Sequence, residues 1–127
     1  MKIMIVDDHS GIRERLRSLL ASAGAELSEC AKGAEAFEAY KGFMPDWVFM
    51  DNLMKGVDGL AATRLIMGAF PQARILIISQ DDIEQIRRAA RAAGACGFVT
   101  KDHLLKVLTQ HQGAPVDQLE SLWAGAI

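Results

Sequence analysis

The chain has 127 residues, 50% of them hydrophobic and 24% charged, with a net charge of −2. That makes one domain with enough residues for an independent core, and the acidic balance argues against nucleic-acid binding by this chain alone. No apolar run approaches membrane length and the first residues carry no signal-peptide pattern, so a soluble, cytoplasmic protein is expected.

In chain order, residues 2–6 form an apolar run that ends in the adjacent carboxylates Asp7 and Asp8, and a first buried strand is predicted there. Ser10 is placed to cap the following helix, in which Ile12, Leu16, Leu19 and Leu20 recur at helical spacing before Gly24 closes it. Residues 26–31 read as a weaker strand. Residues 34–40 read as a short helix with Ala36, Phe37 and Tyr40 facing inward, ended by Gly42 and the Met44-Pro45 step. Val48, Phe49 and Met50 then run into Asp51 before a loop that reaches Asp58 and Gly59. An unbroken apolar run bounded by turn residues marks a strand buried on both faces. A helix over residues 60–69 stops near Pro71.

Residues 74–79 are the most strand-like in the chain, and residues 83–93 form an Arg- and Ala-rich helix closed by Gly94. Residues 97–100 give a last short strand, and either Thr100 or Asp102 caps the helix that runs to Leu108. Five β-then-α units predict a doubly wound α/β fold, a five-stranded parallel sheet with helices on both faces. Cys30 and Cys96 lie far apart, form no metal or redox motif, and read as buried, reduced thiols.

In such a sheet the carboxyl ends of all strands share one edge, where open α/β folds place their chemistry. Asp7, Asp8, Asp51, Ser79 and Lys101 stand at those ends. An unpaired buried charge is heavily penalised, so Asp51 is not a packing residue. Clustered carboxylates need a cation, and a few hard oxygen ligands suit six-coordinate Mg²⁺ completed by water. With the ion and Lys101 neutralising phosphoryl oxygens, Asp51 reads as a phosphate acceptor and Ser79 as a hydrogen-bond donor to the new group. Each aspartate alone is a common helix cap at a βα junction; the joint pattern carries the reading.

Asp7-Asp8-His9, Asp51 with Met54, Asp58 and Gly59, then Ser79, then Gly97-Phe98-Val99 with Lys101-Asp102, resemble the receiver domain of two-component response regulators, most similarly its NarL/FixJ branch. The resemblance runs from Met1 to about Leu108 and implies the flavodoxin-like (CheY-like) strand order 2-1-3-4-5. It also implies that Asp51 is the acceptor, that Asp8 and Asp51 bind Mg²⁺ directly with Asp7 assisting, that the Leu53 backbone carbonyl is a further ligand, and that Ser79 and Phe98 form a switch pair. Three positions depart from the family pattern. Lys55 stands where Pro is usual, Gln80 where a small residue is usual, and Asp102 where Pro often follows the lysine.

The function expected is a receiver that accepts a phosphoryl group from a histidine kinase or phosphotransfer protein onto Asp51. It would catalyse only its own phosphorylation and dephosphorylation, and switch a downstream protein partner through the fourth helix and fifth strand. The alternatives are a phosphorylation-independent binding module and the receiver part of a NarL/FixJ-type DNA-binding regulator. An aspartyl-phosphate hydrolase of similar fold is disfavoured by the absence of a cap domain and of a second acidic loop beyond Asp81-Asp82. Arg13, Arg15 and Arg17, and Arg87, Arg88 and Arg91, read as solvated helix faces, the second set also as a docking candidate. His9 reads as a loop residue rather than a ligand, and His103 and His111 as surface residues. Residues 1–111 are assigned to the receiver and 112–127 to a turn and short helix, with no DNA-binding effector. Val116, Leu119, Leu122 and Trp123 form an apolar stripe that either folds back onto the domain or makes a homodimer or partner contact around Trp123.

Overall fold

A computed structural model describes residues 1–54 and 58–125; the expectation attached to Lys55 lies outside them. The elements are β1 (Lys2–Val6), α1 (Ser10–Ser22), β2 (Glu26–Cys30), a single 3-10 turn (Gly33–Glu35) leading into α2 (Ala36–Phe43), β3 (Trp47–Asp51), α3 (Gly59–Ala69), β4 (Ile75–Ser79), α4 (Glu84–Ala93), β5 (Gly97–Thr100), α5 (Lys101–Gln110) and α6 (Val116–Ala124). The five strands form one parallel sheet in the order β2-β1-β3-β4-β5.

Side chains alternate across a strand, so each apolar run feeds two cores. Ile3, Ile5, Trp47, Phe49, Leu76 and Ile78 point to the face covered by α1, α5 and α6. Met4, Val6, Val48, Met50, Ile75 and Ile77 point to the face covered by α2, α3 and α4. Every residue of β3 and β4 is buried, which is why the two read as continuous hydrophobic runs.

Local chemistry sets the helix ends. Thr100 caps α5 by accepting the His103 N–H, and Asp58 caps α3 by accepting the Ala61 N–H at 2.7 Å. Gly94 closes α4 at φ +103°, a conformation that costs a residue without a Cβ little. Ser10 does not cap α1: it is the first helical residue, and the cap position is His9, which spends no side-chain bond on the helix. Helix α2 passes through Gly42 and ends at Met44, φ +48°. Cys30 is buried as expected, but Cys96 is only half-buried.

The apolar stripe of α6 folds back onto its own sheet. The Val116 N–H donates to the Ala23 carbonyl at 2.8 Å, tying the helix start to the end of α1. Trp123 is fully buried, edge-on to Phe49 (centroids 5.1 Å) and to Trp47 (6.1 Å). The Trp47 indole N–H donates to Glu120 at 2.6 Å, Arg74 pairs with the same carboxylate at 3.2 Å, and the Arg74 guanidinium lies over the Trp47 ring. Trp123 therefore serves the interior of this chain and is not a surface anchor. Among the described residues its indole N–H has no hydrogen-bond partner, so there the ring contributes by packing. Trp123→Ala is expected to cost about 3–5 kcal/mol in urea unfolding. Trp123→Phe, which keeps an aromatic edge and drops the unpaired N–H, should cost less than half of that; equal losses would show that the packing of the ring is not what holds α6.

Candidate functional site

Strand register builds the site. Val6 pairs with Met50 across β1 and β3, so the next residues, Asp7 and Asp51, stand side by side at the carboxyl edge. Both follow the alternation that sends Ile5 and Phe49 to the α1/α5 face. Asp7 is 0% exposed and Asp51 2%. Lys101, the first residue of α5, reaches under them: its Nζ is 2.9 Å from Asp7 Oδ2 and 3.3 Å from Asp51 Oδ2. One ammonium thus serves two buried carboxylates.

The other oxygens of this pair are held by backbone. Asp51 Oδ1 accepts the Leu53 N–H at 3.2 Å, and Asp7 Oδ1 accepts the His9 N–H at 2.8 Å. Asp8 is partly exposed beside them, and the ligand atoms of Asp7, Asp8, His9 and Asp51 all lie within 4.8 Å of one another. Gly59 closes the junction from below. A Cβ there would meet the Asp51 carbonyl oxygen at 1.8 Å, so only glycine lets α3 start this close to the strand end.

Three side chains take on more than their sequence suggested. Arg13 donates to the Asp7 carbonyl at 2.6 Å and pairs with Glu29, fixing the backbone beneath the acidic cluster rather than lying on a solvated face. Arg87 makes a two-pronged bond to Asp82 (2.6 and 3.2 Å) and covers the Phe98 ring at 4.7 Å. His9 turns its ring Nδ1 toward all three carboxylates, at 3.1 Å from Asp8, 3.2 Å from Asp7 and 3.9 Å from Asp51. His103 and His111 stay on the surface as expected.

Ser79 and Phe98 engage partners outside the carboxylate cluster. The Ser79 hydroxyl donates to the Asp81 carbonyl at 2.8 Å, and Phe98, on the opposite face of the sheet from Asp51, is 1% exposed under Arg87. Gln80 is exposed and shares a cavity of about 200 Å³ at the mouth with His9, Ile12, Lys101 and Asp102. It therefore lines the entrance and does not fill the pocket.

Burial, and next the charge of Asp7, push the Asp51 carboxyl up from 3.8 to about 6, against the opposing pull of Lys101 and of the Leu53 N–H. A carboxyl whose folded pKa exceeds its unfolded value binds more protons when folded. The stability it confers is full at low pH and is lost as pH rises from about 4 to about 6. In chelator-treated protein, Asp51→Asn should gain about 1–3 kcal/mol over wild type at pH 8 relative to pH 4. Urea melts at both pH values measure this, and a wild-type-to-variant gap independent of pH would mean that ionisation of Asp51 is not the burden.

The parallel sheet thus gathers three aspartates and a lysine at its carboxyl edge, the edge where open α/β sheets bind their ligands. The response regulator receiver domain matches residues 3–112, and the chain belongs to that family, the receivers of two-component systems. It is 37% identical over 103 residues to the transcriptional activator protein ExaE of Pseudomonas putida, a match covering 80% of this chain and 48% of ExaE. It is 36% identical over 101 residues to the chemotaxis protein CheY of Thermotoga maritima, covering 79% and 84%. The chain thus spans about half the length of the activator and most of the chemotaxis protein. Among solved structures, a LuxR-family response regulator from Aurantimonas sp. SI85-9A1 superimposes with a TM-score of 0.82 at 35% identity, over 98% of this chain and 86% of that one. The receiver domain of the NarL regulator of Mycobacterium tuberculosis gives 0.76 at 31%, over 86% and 90%. Such relatives accord with the NarL/FixJ character of the Asp-Asp-His opening. Among the described residues no helix is long and apolar enough to cross a membrane.

Proposed function

We propose that Asp51 is the phosphoacceptor of this receiver, and that the chain catalyses its own phosphorylation from a histidine kinase or phosphotransfer protein and its own dephosphorylation. The observation that carries the reading is the shared ammonium: Lys101 lies within 3.3 Å of a carboxylate oxygen on both Asp7 and Asp51, two groups otherwise withdrawn from water. Three carboxylates against one lysine leave an excess of negative charge, and their hard oxygens fit a divalent cation such as Mg²⁺. Asp7, Asp8 and Asp51 would hold it, with the Leu53 backbone carbonyl as a further ligand. Bound there, the ion supplies positive charge for the oxygens of an incoming phosphoryl group.

Asp51 is ionised in most molecules at neutral pH and acts as the nucleophile. One of its oxygens forms the new bond to phosphorus while the bond from phosphorus to the donor imidazole nitrogen breaks and its electron pair returns to that ring. Lys101 stays beside the carboxylate and neutralises charge on the phosphoryl oxygens. Ser79 turns its hydroxyl from the Asp81 carbonyl to a phosphoryl oxygen. That exchange disturbs the loop carrying Asp82, the residue that anchors Arg87 over Phe98. Phe98 is already buried, so the switch acts through this clamp and not through an inward swing of an exposed ring. The signal leaves through α4 and β5, where Asp82, Arg87, Phe98, His103, Ser121 and Leu122 line an open groove of about 510 Å³ suited to a protein partner or a second copy. A cytoplasmic location follows from this role.

Incubation with a small-molecule phosphodonor and Mg²⁺ should give one acid-labile phosphate per chain by intact mass, absent in Asp51→Asn. A second labelled site that survives the substitution would defeat the assignment. Lys101→Ala should change Mg²⁺ affinity by less than about threefold yet abolish the NMR shift changes that beryllofluoride induces at Ser79 and Phe98. A collapse of Mg²⁺ binding would assign Lys101 to the metal site instead.

A further inference from the structure

We propose that His9 is a fourth side-chain ligand of the acidic site, and that its nitrogen tilts the site toward a divalent transition ion of the Mn²⁺ kind over Mg²⁺. The proposal rests on the reading that Asp7, Asp8 and Asp51 hold a divalent cation. Around an octahedral ion with bonds of about 2.1 Å, neighbouring ligand atoms lie about 3.0 Å apart and opposite ones about 4.2 Å. His9 Nδ1 lies 3.1 Å from an Asp8 oxygen, 3.2 Å from an Asp7 oxygen and 3.9 Å from an Asp51 oxygen. The first two are neighbouring-ligand spacings and the third falls between the two limits. All four ligand atoms lie within 4.8 Å of one another, so small side-chain adjustments suffice to close them around one ion.

The ring is held there by backbone. His9 occupies the cap position of α1 in an extended conformation and spends no side-chain bond on the helix. Its N–H is fixed by Asp7 Oδ1, and its carbonyl accepts the Arg13 N–H at 3.1 Å. Arg13 in turn grips the Asp7 carbonyl. The side chain is 60% exposed, so the far edge of the ring stays in water and bringing Nδ1 to a metal buries little polar surface.

Nitrogen is what the other donors lack. Carboxylate and carbonyl oxygens suit both Mg²⁺ and Mn²⁺, but Mn²⁺, the first-row transition ion of the two, gains more than Mg²⁺ from an added imidazole nitrogen. Oxygen sites often bind Mn²⁺ somewhat more tightly than Mg²⁺, so the signature of His9 is the change in that ratio when the ring is removed. The competing account makes His9 only a charge partner of the aspartates, displaced by whichever cation arrives. Its removal would then strengthen both ions alike.

The test is calorimetric titration of the full chain and of His9→Ala with Mn²⁺ and with Mg²⁺, paired with pulsed EPR of the Mn²⁺ forms. The expected result is a loss of at least about tenfold in Mn²⁺ affinity with less than about threefold for Mg²⁺, and a directly bonded nitrogen coupling in wild type that vanishes in the variant. Parallel changes for the two ions, or no nitrogen coupling in wild type, would overturn the proposal while leaving the acidic site intact. Failure of the wild type to bind either ion would overturn the acidic-site reading itself, and with it this one. Circular dichroism of His9→Ala, which loses no capping bond, verifies that the variant is folded.

Discussion

Two buried carboxylates gathered on one ammonium are the constraint from which the rest of this protein follows. Placing Asp7 and Asp51 side by side out of water is costly, because like charges repel and each loses hydration. Lys101 offsets part of that cost, and backbone N–H groups from Leu53 and His9 offset more. The remainder shows in the raised pKa of Asp51. A site left short of positive charge in this way is compatible with a divalent cation. Strong perturbation by burial and a like charge in a cleft is how functional carboxylates are recognised.

The arrangement depends on a rigid frame. The Val6–Met50 pairing sets Asp7 and Asp51 at one level, and the fully buried β3 and β4 keep that register from slipping. Gly59 presses the start of α3 against the Asp51 carbonyl, while Thr100 caps α5 so that Lys101 projects from its first turn. Helix α6 completes the cover over β3, β4 and β5 with Trp123 against Phe49, two residues before Asp51. The hydrophobic core and the charged site are thus two ends of the same strands.

Much of this was legible in the sequence, for physical reasons. Strands buried on both faces are unbroken apolar runs, and a parallel sheet sends every strand end to one edge, so Asp7, Asp51 and Lys101 declare themselves by position. Arg13, Arg87 and His9 do not. A lone cation at helical spacing looks the same whether it points to water or bends onto a carbonyl, a ring or a carboxylate, and only the fold supplies the partner. The start of α1 was misread for a related reason: Ser10 is a better capping residue than His9, but tertiary contacts of the His9 N–H with Asp7 displace the helix start by one residue. The stripe on α6 showed that a surface would be covered but not by what, since an apolar face is the same whether its partner is its own sheet or another molecule. Phe98 reads from the resemblance as half of a switch pair, but the clamp that covers it involves residues on another element, α4 and the loop before it, and so is not legible around Phe98 itself.

The packing of α6 also shapes the far side of the molecule. Ser121, Leu122 and Gly125 lie on the wall of the groove shared with Asp82, Arg87 and Phe98. The helix that plugs the sheet with Trp123 is therefore one bank of a cleft whose other bank is the Arg87 clamp. Core packing and groove width are thus set by a single element, so loosening the seat of Trp123 would alter the shape of the cleft without any rearrangement of the sheet.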